Sequence, residues 1–154
     1  MIEVRMVDWR RFAGEPRTLA GHFTVGTESL KYPCPCCGYV VFDEPPGSYS
    51  ICHVCWWEDD VSQLRFPLDG GGANKLSLVD AQAAFARIGS SDIKFAKTVR
   101  RPTSTESRDP GWRPLDIKTD APERSVPGTD QGRTYPDDLT VLYYWRASYW
   151  RRTT

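Results

Sequence analysis

Residues 34–55 read CPCCGYVVFDEPPGSYSICHVC and hold all five cysteines of a 154-residue chain. Four of them make two C-x2-C pairs, Cys34 with Cys37 and Cys52 with Cys55, separated by 14 residues. Two such pairs in one short segment offer four thiolates to a metal ion that prefers tetrahedral sulfur ligands. Between the pairs, Tyr39-Val40-Val41-Phe42 is strongly strand-prone. Asp43-Glu44-Pro45-Pro46-Gly47 is a turn signal, because proline fixes φ and glycine accepts positive φ. Ser48-Tyr49-Ser50-Ile51 then alternates polar and apolar, as a half-buried strand does. The expectation is knuckle, strand, turn, strand, knuckle, an antiparallel hairpin whose closure brings both cysteine pairs together.

That expectation makes Cys34, Cys37, Cys52 and Cys55 ligands of a structural Zn2+ in a zinc-ribbon-like site. Iron is the second choice, since rubredoxin-like sites also use two knuckles with aromatics nearby; the short spacing favours zinc. A redox pair would need a C-x2-C opening a helix in a βαβ setting, and no such setting is visible. Cys36 is the odd cysteine, read as a structural or semi-exposed accessory thiol, with ligand exchange or redox sensing as the sharper alternative. His53, inside the second pair, points out of most such loops and is not needed as a ligand. His22 reads as an ordinary surface or hydrogen-bonded histidine.

Composition narrows the remaining classes. Lysine plus arginine equals aspartate plus glutamate, so the net charge is zero. A globally basic nucleic-acid binder is therefore disfavoured. There is no apolar run of 18 residues and no apolar block after Met1, so neither a membrane span nor a signal peptide is expected. A reducing, cytoplasmic location follows, where clustered cysteines are metal ligands more often than disulfides. Six tryptophans and seven tyrosines imply a core of a few large side chains.

Along the chain, residues 1–8 alternate loosely and suit a strand, and 9–31 read as a connecting segment. After the cysteines, Ser77 precedes Leu78, Ala81, Phe85 and Ile88 at helical spacing, with Gly89 as a stop, predicting a helix over 78–88. Residues 90–98 suit a short element around Ile93, Phe95 and Ala96. Residues 100–133 are rich in proline, glycine and charge, too long for an ordinary loop. They read as an irregular arm, either laid over the core with Trp112 and Leu115 as anchors or partly disordered. Pro136, Asp137 and Asp138 open a helix carrying Leu139, Leu142, Tyr143 and Arg146, though the aromatic density there also suits a strand. The fold class expected is α+β: one domain over 1–154, a cysteine-rich core with its helix over 32–89, and an arm over 100–133.

Several segments of this chain resemble the bacterial cysteine-rich CPCC proteins. They are CPCCGY, then GSYSICHVCWWEDD with Gln63 after it, then GGANKLSLVDAQ through Phe85, together spanning about residues 32–89. The resemblance implies a small metal-binding domain with ligands at Cys34, Cys37, Cys52 and Cys55 and with Cys36 as the family's extra cysteine. It implies no particular activity. Where members of that family typically carry proline after the third ligand cysteine, this chain has His53, so that position is the least safe to carry over.

A zinc ion held by four cysteines has no open coordination position and cannot activate water. Glu58, Asp59 and Asp60 therefore lack a catalytic partner; they read as a solvated face or as caps for the Gly70-Gly71-Gly72 turn, with acid–base catalysis as the alternative. No phosphate-loop or dinucleotide fingerprint occurs. Glu58, Asp59 and Asp60 in the acidic turn, with Arg108, Trp112 and Arg113 on the arm, are the interaction candidates. The sequence thus predicts a non-enzymatic, zinc-braced protein-binding module. A nucleic-acid-binding zinc ribbon is the alternative, and an enzyme using Glu58, Asp59 and Asp60 is the third reading.

Overall fold

The computed structural model describes residues 29–128 and 134–152. The strand expected over 1–8, His22 and most of the 9–31 connector lie outside those residues. Strand β1 (Tyr32–Pro33) pairs antiparallel with β2 (Val40–Phe42), Tyr32 opposite Phe42 and Pro33 opposite Val40. Helix α1 spans Val61–Arg65, α2 spans Leu78–Ile88 and α3 spans Ile117–Asp120. Short 3₁₀ turns cover Ile93–Phe95 and Leu139–Leu142. The class is α+β, as expected, but the pairing of strands differs.

The 40–42 run does not pair with 48–51. Instead each C-x2-C loop is itself the turn of a small hairpin. In the first, β1 and β2 flank Cys34–Cys37. In the second, Ile51 bridges Glu58 across Cys52–Cys55, and Tyr49 N–H donates to the Asp59 carbonyl at 3.0 Å. Three local features block the expected ladder. Pro45 and Pro46 carry no N–H to donate. Tyr49 sits at φ 58, which breaks an extended run. The Gly47 and Ser48 amides are both taken by the Asp59 carboxylate, at 3.1 Å each. Alternating polarity identifies a strand-like segment but does not choose its partner.

Helix α2 forms where its sequence predicts. Ser77 Oγ accepts from Asp80 N–H at 3.1 Å, and Gly89 ends the helix at φ 75. It buries Leu78, Ala81, Gln82 and Ala84, leaving Phe85 half-buried and Ile88 exposed. Helix α1 has only five residues, too few for a periodicity to show. No helix is expected there from the sequence; Asp60 caps it, accepting from Ser62 N–H at 2.8 Å.

The C-terminal segment is neither a long helix nor a strand. Asp138 caps a four-residue 3₁₀ turn, accepting from Thr140 N–H at 3.0 Å, and the chain then proceeds by further turns. Leu142, Tyr143, Tyr144 and Trp145 are all buried. Four consecutive residues cannot lie on one helix face, because each step rotates the side chain by about 100°. Turning backbone sends each into the core, where they meet Phe42, Trp57, Leu64 and Leu78 around the cysteines.

Residues 100–128 of the arm lie along this core. Tyr39 bridges Arg108, and Val40 N–H donates to the Ser107 carbonyl at 2.9 Å, so the arm extends the small sheet. Arg113 forks onto the buried Asp120 carboxylate, which also receives Arg152 at 3.0 Å. Arg65, buried beneath Tyr135 and Trp150, forks onto Glu123. These clasps fix the second half of the chain against the cysteine-rich half.

Candidate metal centre

The two knuckles share one backbone form. Gly38 N–H donates to the Cys34 carbonyl at 2.7 Å, and Trp56 N–H donates to the Cys52 carbonyl at 2.6 Å. Cys34 N–H donates to the Tyr39 carbonyl, and Cys52 N–H to the Trp57 carbonyl, both at 2.8 Å. The residue after each second cysteine adopts positive φ, 80° at Gly38 and 68° at Trp56. Each turn directs its two thiols to the same side, and packing the hairpins together closes the set.

The Sγ atoms of Cys34, Cys37, Cys52 and Cys55 all lie within 4.8 Å of one another. Cys34 and Cys55 are 3.6 Å apart and Cys37 and Cys52 are 3.7 Å apart. Four sulfurs at about 2.3 Å from a central zinc would be separated by about 3.8 Å, so the cage has the size of a tetrahedral thiolate site. None of the five cysteines is disulfide-bonded, and a disulfide would need about 2.05 Å. All four side chains are fully buried. Burial pushes the Cys34 and Cys55 thiols well up, whereas hydrogen bonds from Cys34, Cys37 and Cys55 push the Cys52 thiol down. Four thiolates packed this closely would repel one another. A bound dication would stabilise them directly.

Cys36 is not semi-exposed. Its side chain is wholly buried beside the cage, and burial raises its thiol. It is not one of the four clustered sulfurs. His53 lies outside the cage as well. It is exposed and meets Trp56 edge-on at 5.7 Å.

The acidic run divides by role. Asp59 is 1% exposed, and its carboxylate accepts from Ser48 Oγ at 2.8 Å as well as from the two amides already named. Burial raises its carboxyl above the usual range. Asp60 caps α1 and accepts from Ala73 N–H at 2.9 Å, so it also ties down the glycine-rich turn. Glu58 is half-buried, with its backbone bracketed by the Asn74 side chain. Asp59 and Asp60 are thus internal braces; they are not a solvated face.

The arm candidates turn inward onto the first knuckle. Trp112 Nε1 donates to the Pro35 carbonyl at 3.0 Å. Arg108 Nε donates to the Cys37 carbonyl at 2.9 Å, with its guanidinium stacked over Tyr39 and Trp112. Arg113 is engaged with Asp120. Two glutamines, quoted above only within the segments that carry the family resemblance, act as braces. Gln82 Nε2 donates to the Pro35 carbonyl and to Tyr144 Oη, both at 2.9 Å, and its Oε1 accepts from Leu115 N–H at 2.9 Å. Gln63 Nε2 reaches three carbonyls of the 69–76 loop at 3.0–3.1 Å. The available signal at Gln82 was a polar residue on the stripe between Leu78 and Phe85.

With this geometry in view, the comparison with known families is direct. Residues 32–106 match the profile of the cysteine-rich CPCC family. No curated protein matches the chain. The CPCC match includes both knuckles, α1 and α2, and the 91–100 segment that holds the second knuckle through Ser91 N–H to the Cys55 carbonyl and Arg100 N–H to the His53 carbonyl. Arg108, Trp112 and the aromatic cluster after Leu139 lie beyond it.

Among the described residues, no helix is long and apolar enough to cross a membrane.

Proposed function

We propose that this is a non-enzymatic protein-binding module whose fold is braced by a structural zinc ion. The observation that carries the reading is the closed cage: four mutually adjacent sulfurs, each fully buried. A site with four protein ligands and no exposure leaves no position for water or substrate, so the metal's contribution is to folding. The neighbouring carboxylates of Asp59 and Asp60 hold backbone amides, which fits a bracing role and gives them no reacting group. Unpaired thiols kept for a metal suit a reducing compartment such as the cytoplasm.

Elemental analysis of protein purified without added metal should return about one zinc per chain, as for other four-cysteine structural sites. Cobalt exchange should give the spectrum of a tetrahedral thiolate complex, and chelation should unfold the chain. Metal-free, folded protein with freely titrating thiols would remove the zinc reading. Iron in place of zinc would colour the native protein and keep the brace while changing its metal.

A further inference from the structure

The segment after α2 is pinned to the second knuckle at both ends. Ser91 N–H donates to the Cys55 carbonyl at 2.6 Å, and Arg100 N–H donates to the His53 carbonyl at 3.0 Å. Between those points the chain folds into tight turns, with Phe95 N–H on the Asp92 carbonyl and Thr98 N–H on the Phe95 carbonyl. The knuckle therefore fixes where this strip stands. From Ile93 to Thr105 the chain carries Lys94, Lys97, Arg100 and Arg101 and no acid. The whole chain is neutral, so this is a local excess of positive charge.

The two acids that flank the strip are already engaged. Asp92 caps the 3₁₀ turn, accepting from Lys94 N–H at 3.1 Å, and its carboxylate lies 4.0 Å from Lys94 Nζ. Glu106 accepts both arms of the Arg100 fork at 2.8 Å and the Thr103 N–H at 2.9 Å. Lys97 and Arg101 are exposed, and neither side chain has a partner among the described residues. Elsewhere the chain spends its arginines internally: Arg108 on the Cys37 carbonyl, Arg113 and Arg152 on Asp120, and Arg146 on Asp109. Ile93, at the start of the strip, is 71% exposed, so an apolar side chain accompanies the free cations.

Two uncompensated cations and one exposed apolar side chain match a short acidic peptide that contains an apolar residue. A nucleic acid fits less well. The neighbouring rings of His53, Trp56 and Phe95 are inclined at 64° and 43° to one another, which makes no parallel stack for successive bases. Asp92 and Glu106 bracket the strip and would repel an extended phosphate backbone.

We propose that the 93–101 strip docks an acidic segment of a protein partner, whose carboxylates meet Lys97 and Arg101 while an apolar residue covers Ile93. The assignment rests on the protein-binding reading above and names the chemistry of the partner. The strip is then the surface that the metal-braced knuckle holds in place.

The test uses the full, zinc-loaded chain labelled with nitrogen-15. The amide resonances of residues 93–101 are followed while the peptide acetyl-Glu-Leu-Glu-Glu-amide is added. Its glutamine twin, an oligothymidylate and phosphatidylserine vesicles are the controls. Saturable movement with the acidic peptide alone, weakening as salt is raised, is expected. Replacing both free cations, Lys97→Gln with Arg101→Gln, should weaken the peptide about tenfold through loss of two exposed ion pairs. The metal content and the amide spectrum elsewhere should stay as in the parent. Lys118→Gln, on α3, should bind as the parent does. No movement with the acidic peptide, equal movement with the glutamine twin, or undiminished affinity in the double variant would overturn the assignment. So would a response confined to the oligothymidylate or the vesicles. A protein partner held equally well by the parent and the double variant would leave the module reading standing and end the strip's part in it.

Discussion

The two knuckles have the same hydrogen-bonded turn and opposite surroundings. Over the first, the Trp112 ring lies so close to Gly38 that an added Cβ would sit 2.5 Å from Cδ2. Arm residues 107–112 seal that face with Arg108 and Trp112. Over the second, the holding segment is hydrogen-bonded through backbone groups, at Cys55 and His53, and the side chain at the equivalent position meets Phe95 yet stays half-open. The turn demands positive φ in both places, and glycine is compulsory only where a ring presses on it. The first knuckle is closed by its own chain. The second presents an aromatic residue outward at a cost in backbone strain.

The comparison breaks most severely if the shared cage is removed. Cys52→Ser should lose the metal and leave the chain unfolded, because a structural zinc contributes on the order of 10 kcal/mol to folding in such sites. Metal stoichiometry with far-ultraviolet circular dichroism checks it. Cys36→Ser in the same assay should keep the metal, since Cys36 stands outside the four-sulfur set.

Substitution at the two equivalent turn residues should separate the knuckles next. Gly38→Ala adds a left-handed residue and a clash with Trp112, and should cost about 2–4 kcal/mol by denaturant unfolding. Trp56→Gly should change stability by no more than about 1 kcal/mol, as relief of strain offsets glycine's backbone entropy. Equal losses at both sites would mean that the covering ring does not matter. Arg108→Ala, which removes the stacked cation and its bond to the Cys37 carbonyl, should cost about 1–2 kcal/mol.

The smallest effect expected is in pH dependence, where an aspartate beside each knuckle shifts in the opposite direction. Asp109 gives its N–H to the Gly38 carbonyl. Burial pushes its carboxyl up, but the Gly111 amide, Trp145 and Arg146 outweigh this and hold it below its usual value. Its contribution is present above the ordinary aspartate pKa and is lost as pH falls through the lowered one. Asp59, raised by burial, behaves inversely: its contribution is full below the ordinary value and declines as pH rises through the raised one. The difference in unfolding free energy between Asp59→Asn and the parent should therefore move in favour of the variant as pH rises across that window. For Asp109→Asn it should move against the variant over its own, lower window. A common slope for the two would show that the surroundings of the knuckles are electrostatically alike.

Features set by neighbouring residues were legible in the sequence. The cysteine spacing announced the cage, and Ser77 and Gly89 bounded α2 to the residue. Features set by distant residues were not. Nothing in the Tyr39–Phe42 run says that it pairs with Tyr32–Pro33 and the arm in preference to Ser48–Ile51. The density of Tyr143, Tyr144 and Trp145 shows that the segment is apolar, but its turning path follows from the shape of the space it fills. Asp59 and Asp60 look like surface charges until the amides they accept are located.

The Pro35 carbonyl, in the middle of CPCC, accepts from both Gln82 on α2 and Trp112 on the arm, and Gln82 in turn holds Leu115 and Tyr144. One oxygen atom inside the first cysteine loop therefore links that loop to Trp112, Leu115 and Tyr144, which lie 77, 80 and 109 positions further along the chain. Loss of the ion would be felt there as faster exchange of the Trp112 indole proton and the Leu115 amide. With a metal bound, that segment would report on the cage although it contains no cysteine.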